Sequence, residues 1–217
     1  EDCRVLEACR EGKYTSVLVQ THDKKYVEYR TEHFVNALGS GAGKLCDSMG
    51  IDAGLYPVRH QAFITRRLPM LGKHGTNLDM LIDRQDYKGF SAVYGQQIAY
   101  TGQIIGCASP KLDAMRIDKN LKVNTKAFLE IVSEMFSEWI PDLAGVGIQA
   151  VWAGYYTEPR YIVDPELGLF VGMRGHGFML SQYIARMYVD KLLGRPVPEY
   201  FEKLKLNGPG LSEKAFK

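Results

Sequence analysis

The chain has 217 residues, 46% of them hydrophobic, with 27 basic against 25 acidic residues and a formal net charge of +2. That length and apolar content suffice for one large domain, or a domain and a half, with a proper core, which excludes a disordered chain; the balanced charge, with no basic run, excludes an electrostatic nucleic-acid binder. No apolar stretch approaches the ~18 residues of a membrane span and no signal peptide opens the sequence, so no membrane span and a cytoplasmic location are expected.

In chain order, YTSVLVQT at 14–21 and KYVEY at 25–29 are β-prone runs separated by the polar turn His22-Asp23-Lys24, which predicts a hairpin. His33 to Leu38 is a further strand candidate, and Lys44 to Met49 a short helix. Between them lies VNALGSGAGKL at 35–45, an apolar run emptying into three glycines and a lysine. It is not a P-loop, because Leu38 and Leu45 stand where the first Gly and the Ser or Thr are needed. Of the dinucleotide fingerprint it carries Gly39 and Gly41 but has Lys44 at the third glycine position. The residues alone leave this loop as open to a ligand-free turn as to a phosphate.

From Leu55 to about Ser109, short β-rich runs separated by glycines, Pro57, Pro69 and polar turns predict an antiparallel sheet. The clearest helix covers Thr125 to Trp139: Phe128, Ile131, Val132, Met135, Phe136 and Trp139 share one face and Glu130, Glu134 and Glu138 the other. Asn124 is its expected N-cap and Pro141 its stop. Strand candidates follow at Gly147–Tyr156 and Leu167–Met173. A helix then carries Leu180, Tyr183, Ile184, Met187 and Tyr188 on one face and ends at Gly194 and Pro196. The tail from Leu206 is polar and contains Gly and Pro, so a loose terminus is expected. Cys3, Cys9, Cys46 and Cys107 are too scattered for paired metal ligands or a disulfide framework, so reduced thiols and no metal site are expected.

The passage from strand 167–173 into that last helix is the most informative feature. Glycines at 172, 175 and 177 remove the side chains that would keep a flat or anionic ligand from the backbone. The helix behind them directs its free N–H groups, about half a positive charge, at whatever sits there. On pattern alone, a tight turn whose glycines serve only their own dihedral angles remains the alternative.

The run WAGYYTEPRYIVDPELGLFVGMRGHGFMLSQYIARMYVDKLLGRP, Trp152 to Pro196, resembles the C-terminal signature of the FAD-dependent amino-acid oxidase superfamily. The branch nearest in wording holds sarcosine oxidase, glycine oxidase and the dye-linked proline dehydrogenases. Its members show an aromatic "YT" strand, an Asp-Pro turn, a strand ending in Gly, and Gly-His-Gly-Phe opening a long helix. VNALGSGAG, LYPVRHQAFIT and EMFSEWIPDL are similar, in order, to further segments of the family, so the resemblance covers nearly the whole chain.

The resemblance implies an α/β fold of mixed type: part of an FAD-binding three-layer domain plus an inserted antiparallel-sheet substrate domain. The expected division is 1–51 with 161–205, an insert at 52–160, and a tail at 206–217. It implies hydride transfer from an amine-bearing carbon of a small amino acid or amine (sarcosine, glycine or proline-like) to FAD, with oxygen, a quinone or a dye-type acceptor taking the electrons. Gly39, Gly172, Arg174, Gly175, His176, Gly177, Phe178 and Met179 are the implied cofactor-binding residues. The amides at 175–178 would stabilise negative charge on the reduced flavin. His176 is assigned a structural or flavin-edge place rather than that of a general base, and no catalytic residue is assigned.

Departures from the family pattern carry information. Gly154 stands where sarcosine oxidases carry the flavin-linking Cys, so non-covalent FAD is expected. Tyr156 stands where glycine oxidase-like members place an Arg for the substrate carboxylate, which leaves Arg160 and Arg174 as candidates by proximity, with plain surface charge as the alternative. Met179 replaces a Lys and reads as an apolar flavin contact. Tyr87, Tyr94 and Tyr100 are candidates for the substrate cavity, against ordinary packing; the expected substrate-binding set is Tyr94, Tyr156 and Arg160. The primary Gly-rich fingerprint of the family is not in this sequence, which begins at Glu1. The expectation is therefore a fragment, or a chain whose other half a partner subunit supplies, with a non-catalytic or partner-dependent subunit as the alternative function.

Overall fold

A computed structural model describes residues 2–72, 75, 77–84, 90–110 and 125–210. It is a mixed α/β structure with antiparallel sheets, and it divides into two compact units. One comprises Glu1–Pro57 and Tyr156–Lys217; the other is Val58–Tyr155.

The first unit opens with an antiparallel meander of β1 (Cys3–Glu11), β2 (Tyr14–Thr21) and β3 (Tyr26–Thr31), in the order β1-β2-β3. The expected hairpin is therefore the second half of a three-stranded sheet. Strand β1 is not legible as a strand because CRVLEACRE carries charges on both sides and buries only Ala8 fully. Val17 and Val19 of β2 join Ala8 in a small core closed by Leu45, from helix α1 (Ala42–Ser48). The helix is pinned to the sheet where the Ala8 amide donates to Ser48 Oγ at 3.1 Å.

His33 to Leu38 does not form the expected strand. It makes a single parallel bridge, Asn36 with Leu169, through Asn36 N to the Gly168 carbonyl at 2.7 Å and Phe170 N to the Asn36 carbonyl at 3.0 Å. The segment leaves extended pairing early: the buried Asn36 side chain donates to the Ala42 carbonyl at 3.0 Å and its oxygen accepts from Leu38 N at 3.3 Å, folding the chain back on itself.

Strands β9 (Ile162–Asp164) and β10 (Leu169–Val171) pair antiparallel, and β10 feeds helix α3 (Gly177–Leu192). Ile184, Met187 and Tyr188 of α3 pack with Tyr161, Val163, Phe201 and Leu204. The helix ends as the sequence implies: Gly194 takes φ +67, and Arg195 N closes on the Asp190 carbonyl at 2.8 Å. The tail is not loose as far as Gly210. Leu206 N reaches Asp164 Oδ2 at 3.3 Å, Gly210 N reaches the Lys203 carbonyl at 3.0 Å, and Arg160 donates to the carbonyls of Leu206 and Gly208.

The second unit is a five-stranded sheet in the order β5-β6-β7-β4-β8, with β4 at Tyr56–Thr65, β5 at Leu81–Asp83, β6 at Phe90–Gln97, β7 at Ile104–Pro110 and β8 at Ile148–Glu158. Helix α2 (Thr125–Trp139) falls where its apolar period places it. Its Phe128, Ile131, Val132, Met135 and Phe136 are buried with Phe63, Val93, Ile104 and Ala108. Gly106 pairs with Phe63 across β7 and β4, and a Cβ there would lie 2.6 Å from the phenyl ring, so the glycine is what lets the ring lie flat on the sheet. Asn124, the expected cap, and Tyr87 lie outside the described residues.

Candidate functional site

The parallel bridge of Asn36 with Leu169 sets the site's geometry. Three residues beyond each partner stands a left-handed glycine, Gly39 at φ +55 and Gly172 at φ +72, so both glycine loops leave at the same end of the bridged pair. Ligands of α/β folds bind outside that carboxyl end. Leu55 lies against both helix α1 and the second loop: a Cβ added at Gly43 would meet its carbonyl at 3.1 Å, and one at Gly172 its side chain at 3.4 Å. Gly39 itself faces open space, since a Cβ there would meet nothing within 4 Å. It begins a short 3-10 turn, Gly39–Gly41.

The second loop is held much more tightly. A Cβ at Gly172 would strike the Arg160 carbonyl, one at Gly175 would lie 2.7 Å from the Tyr156 ring, and one at Gly177 2.9 Å from Met173 Cβ. Those three glycines are thus required by the chain's own packing, and of the three Gly175 is exposed. Arg174–His176 forms a 3-10 turn, and α3 starts behind it with His176 as N-cap. No side chain caps that end, and no acidic residue stands in its first turn. Phe178 is 98% exposed and Met179 66%, so two apolar side chains flank the uncapped amides.

Three side chains from residues 156–161 fasten the turn from below. The Tyr156 ring lies under Gly175. Arg174 Nε donates to Glu158 Oε2 at 2.6 Å. The Tyr161 hydroxyl and His176 Nδ1 are 2.5 Å apart. Glu158, Tyr161 and Leu55 were not among the residues singled out by sequence; their partners are distant in the chain, and no local pattern marks them.

The remaining candidates sit elsewhere. Arg160 directs its guanidinium at the tail, with Nη1 donating to the Gly208 carbonyl at 2.9 Å and Nη2 to that of Leu206. Tyr94 belongs to the second unit, on β6 opposite Cys107 of β7, where its side chain hydrogen-bonds the Cys107 thiol; burial nevertheless raises that thiol's pKa. Tyr100 is 82% exposed in a turn. Among the described residues no group of three or more His, Cys, Asp or Glu could hold a metal, and all four cysteines are free thiols. No described helix is long and apolar enough to cross a membrane.

Over residues 1–191 the sequence matches the family described as FAD dependent oxidoreductase (DAO). Among solved structures, L-proline dehydrogenase from P. horikoshii is similar at 25% identity and a TM-score of 0.68, over 94% of this chain and 53% of that one. Glycine oxidase from Geobacillus kaustophilus matches at 17% identity and a TM-score of 0.68, over 94% and 52%. Iminodiacetate oxidase from Chelativorans sp. BNC1 matches at 14% identity and a TM-score of 0.65, over 96% and 53%. The last two show likeness of fold alone. The chain spans about half the length of these structures. No match was found among curated proteins.

Proposed function

The chain belongs to the family of FAD-dependent oxidoreductases, and from that premise we propose that it forms part of an enzyme oxidising the C–N bond of a small amino acid or amine, with non-covalently held FAD. The observation that carries this reading is the uncapped start of α3, with exposed apolar side chains beside bare amides at the end of the bridged strands where the Gly39 loop also emerges.

The residues present fit a flavin. An extended ring with one anion-bearing edge needs an apolar surface next to N–H donors that no side chain already occupies, and Phe178, Met179 and the amides of the first turn of α3 offer that pairing. Bound FAD would accept a hydride from the amine-bearing carbon. Three contributions of this chain's own residues are proposed. The amides of Gly177, Phe178 and Met179 supply fixed positive potential, and Gly172, Gly175 and Gly177 let the turn that presents them pack against Arg160, Tyr156 and Met173. Tyr161 orients the His176 ring beside them. Gly154, on β8, offers no thiol for covalent attachment.

Proline-like or other secondary amino acids are the substrate class we favour, because the match with the highest identity among the three structures compared is a proline dehydrogenase. Tyr156 and, in the second unit, Tyr94 are the proposed substrate contacts. We assign Arg160 to the tail it grips rather than to a carboxylate. The proposed site of action is the cytoplasm, with oxygen, a quinone or a dye-type molecule as electron acceptor. The test is anaerobic: the chain is titrated with FAD, then offered proline, sarcosine and glycine in turn. Flavin binding followed by bleaching of the visible flavin band with one of them supports the reading, and a chain that leaves FAD free in solution counts against it and favours a non-catalytic or partner-dependent role.

A further inference from the structure

Arg174 stands in a conformation its residue type avoids. Its φ of +50 lies in the left-handed region, where a Cβ crowds the following carbonyl, yet the glycines at 172, 175 and 177 flank it on both sides. A glycine at 174 would adopt the same φ without steric cost, so the arginine side chain must contribute something the backbone step does not need. Glu158 supplies the explanation. Its Oε2 accepts from Arg174 Nε at 2.6 Å, and the two side chains are only 22% (Arg174) and 17% (Glu158) exposed, so solvent screens the pair little. Strained backbone persists where its surroundings hold it, and this pair is a polar tie between strand β8 and the strained residue.

We propose that Glu158 is a positioning residue: through its ion pair with Arg174 it holds the left-handed step that aims the amides of the first turn of α3. Two neighbours on the same stretch make the step specific. Tyr156 sets the height of Gly175 and Tyr161 the orientation of His176, so the turn is fastened at three successive residues from one segment. The purpose of the amides rests on the reading given under Proposed function; the backbone role of Glu158 does not.

The test separates the two. Amide hydrogen exchange is followed on the whole 217-residue chain in wild type, Glu158→Gln, Arg174→Gly and the double variant. Glu158→Gln is expected to speed exchange at residues 175–178 by about tenfold, and the double variant to recover about half of that change on a logarithmic scale, because glycine enters the left-handed region without steric cost but is not held there. Unchanged exchange in Glu158→Gln, or no recovery in the double variant, overturns the proposal; should Glu158→Gln fail to fold, recovery in the double variant decides in the same way. FAD affinity and flavin midpoint potential are then read in the same variants. Glu158→Gln, which keeps the Arg174 side chain, should weaken FAD binding and make the potential more negative. Faster exchange with both flavin quantities unmoved would mean that the turn does not serve the ligand. A wild-type chain that binds no FAD sinks the functional reading instead, and leaves exchange to decide the role of Glu158.

Discussion

Gly175 shows how a single missing methyl lets the turn pack closely on the chain beneath it. The Tyr156 ring fills the space where its Cβ would go, at 2.7 Å, closer than real carbon contacts allow. Gly175→Ala must therefore push the ring aside or lift the turn. A cost of about 1–3 kcal/mol is expected, measured by denaturant unfolding. In a Tyr156→Ala background the same Gly175→Ala change should cost less than about 1 kcal/mol, since the space the new methyl enters is then empty. Gly39→Ala is the contrasting change: a Cβ there meets open space, so only the strain of its φ of +55 remains, about 1 kcal/mol. Equal penalties at the two positions would show that packing is not what distinguishes them.

Among the elements, the C-terminal turn is where expectation and structure part most usefully. A polar segment with Gly and Pro reads as loose because nothing in its own composition supplies a core. The ties that hold Leu206–Gly210 come from residues far along the chain, Arg160 and Asp164, and from the 3-10 turn at Glu199–Leu204, which buries Phe201 and Leu204. A salt-bridge group around Lys205, at 2.8 Å from Glu166 and 3.1 Å from Glu202, adds to them and holds the lysine pKa above its ordinary value. Arg160→Ala should release residues 206–210 with a loss of about 1–3 kcal/mol, the scale of charge-assisted hydrogen bonds to carbonyls. Hydrogen exchange confined to that segment checks it, and an unaffected tail would leave Arg160 for another role.

The same contrast runs through the other elements. Helix α2 was legible to the residue because its period is carried by six large apolar side chains that all go to one core. Strand β1 was not, because an edge strand with one fully buried residue leaves no alternation to read. His33 to Leu38 has the composition of a strand, but Asn36 turns it after one bridge. At the candidate site the glycines announced the turn. Its fastenings did not show, because Glu158 and Tyr161 meet Arg174 and His176 across intervals of 16 and 15 residues that only the β9–β10 hairpin brings together.

Taken whole, the molecule has in its second unit one group, His60, that makes stability depend on acid. Burial lowers the His60 pKa from 6.5 to about 4. The unfolded chain then binds a proton between those values that the folded chain refuses, so stability rises with pH across that window and is lost as pH falls from about 6.5 to about 4. The loss is at most about 3 kcal/mol at the acid end. His60→Gln should flatten this limb, which unfolding of the two proteins at pH 4.5 and pH 7 compares directly; parallel slopes would place the acid sensitivity elsewhere.

One property of the second unit reaches beyond stability. Its first and last residues, Val58 and Tyr155, lie on β4 and β8, which are neighbours in the sheet, so the chain enters and leaves this unit through adjacent strands about 5 Å apart. Such an insert behaves as a cassette. Exchange of this unit for a sheet with another set of side chains would leave Tyr156 and Glu158, which lie just outside it, in the chain.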